Sequence, residues 1–261
     1  MLRGEYRGVE QLVARRAHNP KVVGSSPSSA TNKRQTPVRV SVFSLYLHSS
    51  NCKNGVKNMS KLYFKYGAMA SSKTANALMT RFNYEEKGNR VWLIKPDLDN
   101  RDDYIDENGV RVTVVKSRIG LEAVADVVSR DENILERFEN IIKTTPIGAI
   151  ICDECQFLTA EQVDQMKYIA EFLDTPVLCF GLRSDFQTKL FEGSRRLFEI
   201  ADSITEVKSV CKCGKKAIVN ARIDGSGKII VEGEQIEIGG NDKYESMCWG
   251  CWQQRIKEQS K

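Results

Sequence analysis

The chain is 261 residues long, 41% hydrophobic and 28% charged, with a formal net charge of +5. No apolar run approaches the roughly 20 residues needed to cross a bilayer, so a soluble protein is expected. The positive excess lies in residues 1–58, which hold ten Lys/Arg and two Asp/Glu; the rest carries 29 basic against 32 acidic side chains, and bulk electrostatics there do not favour nucleic acid.

Residues 1–58 show no sustained helical or alternating periodicity and are rich in Ser, Asn and Arg. They lack the charged, apolar and small-residue zones of a secretory signal. The stretch from Val9 to Pro27, ending Gly24-Ser25-Ser26-Pro27, resembles the peptide produced when a transfer-RNA gene is translated. Met59 is therefore the expected natural start, and residues 1–58 are expected to be a disordered or non-native extension. A basic nucleic-acid arm and an organelle-targeting peptide are the alternatives. His18 and His48 are the only histidines. General base catalysis in the body must then fall to a carboxylate, Lys, Tyr or Cys, and any metal site there is built without imidazole. A Ser-His-Asp or Cys-His nucleophilic enzyme is excluded.

Beyond Met59 the apolar run Leu62-Tyr63-Phe64-Lys65-Tyr66 predicts a strand over Lys61–Tyr66, and an Ala/Leu/Met stretch predicts a helix from Lys73 to about Glu86. Between them lie Gly67, Ala68, Met69, Ala70, Ser71, Ser72, Lys73 and Thr74. A tight turn there would aim backbone N–H groups and a helix N-terminus at phosphate, with Lys73 on the outer phosphates and the Thr74 hydroxyl on Mg²⁺. Ser72 stands where the usual pattern has a second Gly, and an ordinary strand-to-helix turn is the alternative. Next come a strand Arg90–Ile94, a polar turn Asp97–Asp103, a strand Val110–Val115 and a helix over roughly Asp131–Ile142. The apolar run Ile147–Cys152 reads as a buried parallel strand whose end carries Asp153, placed for Mg²⁺, and Glu154, facing an attacking oxygen. A surface acidic pair capping the next helix is the alternative. A helix from about Ala160 to Phe172 and a strand Val177–Gly181 complete an alternation that predicts an α/β fold of the P-loop NTPase type, a mainly parallel sheet with helices on both faces.

From Ser203 the pattern changes to short hairpins, which divides the body into a P-loop domain over 59–202 and a small β-rich domain with a C-terminal helix over 203–261. Cys211 and Cys213, then Cys248 and Cys251, bracket a Gly225-Ser226-Gly227 turn, as in a zinc ribbon. Four thiolates without histidine suit one structural Zn²⁺, although one residue separates the first pair where two are commoner, and two disulfides are the alternative. Cys152 and Cys179 read as core; Cys155 stands beside Glu154 with its exposure open.

The phosphate loop, Asp153-Glu154-Cys155-Gln156-Phe157, Asp185-Phe186-Gln187, the paired cysteines and Ile238-Gly239-Gly240-Asn241-Asp242-Lys243-Tyr244 stand in one order. In this the chain resembles, over essentially all of Met59 to the C-terminus, the cellular-type (type II) thymidine kinases. The resemblance implies transfer of the γ-phosphoryl of ATP to the 5′-hydroxyl of thymidine or deoxyuridine, with Glu154 accepting the proton. It adds Arg101 to the phosphate-binding set. It walls the nucleoside with Met69, Phe157, Leu182, Phe186 and Tyr244 under a lasso loop that includes Ile238, Gly239 and Gly240. It also implies a homotetramer and feedback inhibition by thymidine triphosphate. The absence of a targeting segment and the abundant unpaired cysteines point to a cytoplasmic location, and hydropathy and charge to no membrane or nucleic-acid partner. Two other readings remain open at this level: a helicase-like ATPase with a zinc ribbon, in which Glu154 activates water, and a non-catalytic zinc-ribbon module with a degenerate loop.

Overall fold

Residues 60–236 and 243–260 are described by a computed structural model. The expectations for residues 1–58, for the start at Met59 and for Ile238, Gly239 and Gly240 lie outside the described residues. No helix among those described is long and apolar enough to cross a membrane.

In chain order, β1 (Leu62–Tyr66), α1 (Lys73–Glu85) and β2 (Val91–Pro96) lead into two short hairpins. These are β3 (Tyr104–Ile105) with β4 (Arg111–Val112), and β5 (Val114–Lys116) with β6 (Glu122–Val124). The alternation resumes with β7 (Asp126–Val128), α2 (Ile134–Ile142), β8 (Ala149–Cys152), α3 (Ala160–Phe172), β9 (Val177–Gly181), α4 (Glu192–Ile200) and β10 (Ser203–Glu206). Six of these strands form one sheet in the order β10-β1-β9-β8-β2-β7, and every neighbouring pair is parallel. Buried on both faces, the central strands must be apolar throughout, and β8 and β9 are buried at every residue.

Period-two alternation sorts the strand residues between two cores. On one face Phe64, Ile94, Ile150 and Cys179 pack under α2, α3 and α4; on the other Leu93, Ile151 and Phe180 pack under α1 and the β5–β6 hairpin. Three helices start on side-chain caps. Asn133 accepts from the Glu136 amide at 3.0 Å, Thr159 closes a capping box with Gln162, and the Cys248 sulfur accepts from the Cys251 amide at 3.4 Å at the head of α5 (Trp249–Gln259). The remaining strands, β11 (Ser209–Val210), β12 (Lys216–Ala217), β13 (Val219–Ile223), β14 (Ile229–Ile230) and β15 (Tyr244–Met247), build a two-stranded and a three-stranded sheet against α5.

Three local expectations change. The strand expected over Val110–Val115 breaks at Thr113, because Asp103 accepts from both the Thr113 hydroxyl and the Val114 amide at 3.2 Å and folds the segment into two hairpins. Ser203–Glu206, expected to open the hairpin region, instead forms the parallel edge strand beside β1. Helix α4 was not signalled, since Gly193 and Ser194 in its first turn have weak helix propensity. It is held by packing: a Cβ on Gly193 would lie 2.6 Å from the Cys155 carbonyl oxygen.

Candidate active site

In a parallel sheet the loops after the strands gather at one edge, and here those after β1, β2, β8 and β9 enclose a cavity of about 730 Å³. The phosphate loop forms one wall. Gly67 is required by close approach: a Cβ there would lie 2.4 Å from both the Ser71 Oγ and the Val207 carbonyl oxygen. Ala70 and Ser72 take left-handed backbone conformations, with φ of 59° and 61°. Ser72 stands at the cap position of α1 without a side-chain cap bond, so the first-turn N–H groups of this helix are left for a ligand. Lys73 is folded back, its Nζ donating to the Ala68 carbonyl at 2.8 Å and to the Ser71 hydroxyl at 3.3 Å. Burial lowers its pKa, opposed by the charges of Glu154 and Asp153 and reinforced by the guanidinium of Arg118.

The acidic pair forms the facing wall at the end of β8. Asp153 is buried and hydrogen-bonded by the Thr74 side chain; burial and then repulsion from Glu154 push its carboxyl up to about 7. A buried carboxylate beside a threonine hydroxyl and a lysine is a donor set that fits a divalent cation bound with phosphate, because such a cation restores the charged form that burial disfavours. Glu154 adopts φ 51°, a left-handed conformation that turns its side chain out of the strand direction into the cavity. Its carboxylate accepts from Arg101 at 3.0 Å and from the Gln156 amide at 2.5 Å. Arg101 Nε donates to Asp99 at 2.6 Å. Burial works against the Arg101 charge, but the bonds to Asp99 and Glu154 hold its pKa above the usual guanidinium value. Behind this chain, fully buried Lys95 lies 3.1 Å from Asp103 and 3.7 Å from Asp99.

The other end of the cavity is apolar and aromatic. Phe157 stacks edge-on against Phe191 with ring centroids 5.7 Å apart, and Met69, Leu182, Phe186 and Tyr244 complete the lining. The guanidinium of Arg222 sits 5.1 Å over the Phe186 ring. Gln235 reaches from the segment before the undescribed residues to Asp185 at 2.8 Å, closing one side. Asn220 of β13 is buried and spans two loops: its oxygen accepts from the Met69 amide at 2.7 Å and its nitrogen donates to the Ser184 carbonyl at 2.9 Å. The Ser184 hydroxyl, buried on the same lining, has no hydrogen-bond partner among the described residues.

Of the expected phosphate, acid and nucleoside residues that are described, Met69 to Thr74, Arg101, Asp153, Glu154, Phe157, Leu182, Phe186 and Tyr244 line the same cavity, whereas Gly67 and Ala68 do not: Gly67 packs against Ser71 and Val207, and Ala68 lies in the core around the paired cysteines. Phe191 is buried and also lines the cavity. Sequence reasoning missed Lys95, Arg118, Gln156, Ser184 and Asn220. A lysine inside the apolar run Val91–Pro96 was the one signal available among them. Cys152, Cys155 and Cys179 are fully buried, and burial pushes the Cys152 and Cys155 thiols up, which leaves them unreactive.

About the paired cysteines, the four sulfurs of Cys211, Cys213, Cys248 and Cys251 lie within 4.8 Å of one another. A tetrahedral ion with metal–sulfur bonds of about 2.3 Å spaces its sulfurs by about 3.8 Å. The Cys213 and Cys248 sulfurs are 3.6 Å apart. The Cys213 amide draws Cys211 down to about 7, while the sulfurs of Cys213, Cys248 and Cys211 push Cys251 up to about 12. Four thiolates this close need a cation, and the tetrad could hold one.

A sheet of this order with an uncapped phosphate loop facing a carboxylate pair defines a nucleotide-binding protein of the P-loop type. The thymidine kinase family model matches residues 60–252. Among curated relatives, the thymidine kinase of Shewanella oneidensis is 42% identical over 190 residues, covering 73% of this chain and 95% of the relative. The corresponding enzyme of Vibrio cholerae is 43% identical with the same coverage, and that of Yersinia pseudotuberculosis 40% over 199 residues, 76% of this chain and 97% of the relative. The chain belongs to the thymidine kinase family, and its activity is phosphoryl transfer from ATP to thymidine. The helicase-like and non-catalytic readings are set aside on this match.

Proposed function

We propose that Glu154 is the proton acceptor for the nucleoside 5′-hydroxyl and that Lys73 neutralises the phosphate being transferred. The observation that carries this is the left-handed turn at Glu154, which brings its carboxylate onto the cavity that Lys73 also lines. As the 5′-oxygen forms its bond to the γ-phosphorus, the bond from that phosphorus to the bridging oxygen breaks and ADP departs. The hydroxyl proton passes to Glu154. The transition state is loose, so the chain's work is to align and to spread charge. Arg101 and Gln156 fix both oxygens of Glu154, and the amides of Gly67 to Thr74 hold the phosphates. Asp153 and Thr74 would hold Mg²⁺, which would supply positive charge against the phosphates. Met69, Phe157, Leu182, Phe186 and Tyr244 grip the pyrimidine, and Ile238, Gly239 and Gly240, outside the described residues, are the further nucleoside-binding residues proposed. Zinc is the ion proposed for Cys211, Cys213, Cys248 and Cys251, in a structural role.

The family also supports a homotetramer and feedback by thymidine triphosphate in the nucleoside site. The unpaired state of all seven described cysteines supports a reducing, cytoplasmic setting. Steady-state kinetics test the central assignment: Glu154→Gln should lower kcat by about a hundredfold or more while the KM values for ATP and thymidine stay near wild type. Near-normal turnover would remove Glu154 from the proton-accepting role.

A further inference from the structure

The cavity carries five cationic side chains, and four of them are engaged. Lys73 is folded onto Ala68 and Ser71, Lys95 is paired with Asp99 and Asp103, Arg101 with Asp99 and Glu154, and Lys116 with Glu122 at 3.2 Å. The fifth, Arg118, has no hydrogen-bond or ion-pair partner among the described residues. It is not loosely placed. It sits in the tight turn of the β5–β6 hairpin, where the Ser117 hydroxyl both donates to and accepts from the Leu121 backbone, at 3.0 and 2.9 Å, and Gly120 closes the turn with φ of 88°. Val115 and Ala123 anchor the hairpin in the core under α1, the helix that begins at Lys73.

An unpaired guanidinium on a surface turn is ordinary. One that shares a cavity with a buried lysine, near enough for the two like charges to oppose each other, is a different case. Their repulsion is relieved when an anion lies between them, and the anion this cavity takes is a polyphosphate. We propose that Arg118 is a phosphate-binding residue of the donor site, contacting the outermost phosphate of ATP, which ADP lacks, together with Lys73. The proposal rests on the reading of Lys73 given above. The planar guanidinium fork of Arg118 suits two phosphate oxygens at once, and the core-anchored hairpin holds this residue on the wall of the same cavity.

The test is calorimetric binding of ADP and of the non-hydrolysable β,γ-imido analogue of ATP, with Mg²⁺, to wild type, Arg118→Ala, Arg118→Lys and Lys73→Ala. Thymidine KM and thermal unfolding serve as controls for the nucleoside end and for folding. A charge-assisted phosphate contact predicts a roughly ten- to hundredfold loss of analogue affinity in Arg118→Ala, with ADP affinity and thymidine KM within about twofold of wild type and partial recovery in Arg118→Lys. Analogue affinity within about threefold of wild type in Arg118→Ala, while Lys73→Ala loses it, would overturn the proposal and leave the Lys73 reading standing. Equal losses for ADP and the analogue would refute the outer-phosphate assignment. Unchanged affinity in both alanine variants would remove the donor-site reading itself.

Discussion

Asn220→Ala separates a structural tie from a generic core contact. The Asn220 carboxamide holds the phosphate loop through Met69 at 2.7 Å and the loop after β9 through Ser184 at 2.9 Å, from a strand of the cysteine-bearing unit. Truncation deprives one amide and one carbonyl of their partner, at about 1–3 kcal/mol each. Met69 is only half-buried and water can reach it, so the low end applies and the total is about 2–3 kcal/mol. For a folded body of this size that is a fall in Tm of about 4–12 °C. Because Met69 belongs to the phosphate loop, KM for ATP should rise several-fold as well. Val219→Ala is the control: Val219, beside Asn220 on β13, is buried in the small core that also contains Ala68 but has no side-chain hydrogen bond to either loop, so it should lose stability with a smaller change in KM for ATP than Asn220→Ala. A Tm within about 1 °C of wild type for Asn220→Ala, or the same kinetic change in both variants, would refute the reasoning.

Gly67→Ala places a Cβ 2.4 Å from the Val207 carbonyl oxygen, so the loop must shift; a loss of about 1–3 kcal/mol and weakened ATP binding are expected, and unchanged affinity would show that the loop yields without consequence. Asp153 has a folded pKa of about 7, above its unfolded value of about 4, so the native state binds the proton more tightly; its contribution is full below the unfolded value and is lost as pH rises through about 7. In chelator, thermal unfolding of Asp153→Asn should therefore gain on wild type between pH 5 and pH 8, and Mg²⁺ at pH 8 should narrow the gap; a gap independent of pH would contradict this. Elemental analysis should find zinc equimolar with chain and absent from Cys248→Ser, whose Tm should fall; a metal-free wild type of equal stability would contradict the tetrad's role.

Much of the fold and part of the site could be read directly from residues, for a physical reason. Gly67–Thr74, the Asp153-Glu154 pair and the two cysteine pairs are local patterns, in which neighbours in sequence do the chemical work together. Strands β8 and β9 declare themselves as unbroken apolar runs because both their faces are covered. What escaped is non-local. Asn220 lies 151 residues from the amide it accepts from, and no feature of Val219-Asn220-Ala221 signals that distance. Arg118 gains meaning only when its hairpin folds over α1. The break at Thr113 depends on Asp103, ten residues earlier, and α4 forms against its own propensity because Gly193 fits the turn at Cys155.

In the proposed mechanism Lys73 and Glu154 flank a single transferring phosphate. The mechanism's most direct test is a solved structure of the protein with adenosine and thymidine joined through a polyphosphate bridge, which occupies donor and acceptor positions at once. The expected result has the Lys73 ammonium on the bridge phosphate nearest the thymidine and the Glu154 carboxylate within hydrogen-bond reach of the thymidine 5′-oxygen. A bridge that runs past one of these groups, leaving the other on a separate cleft, would contradict the mechanism.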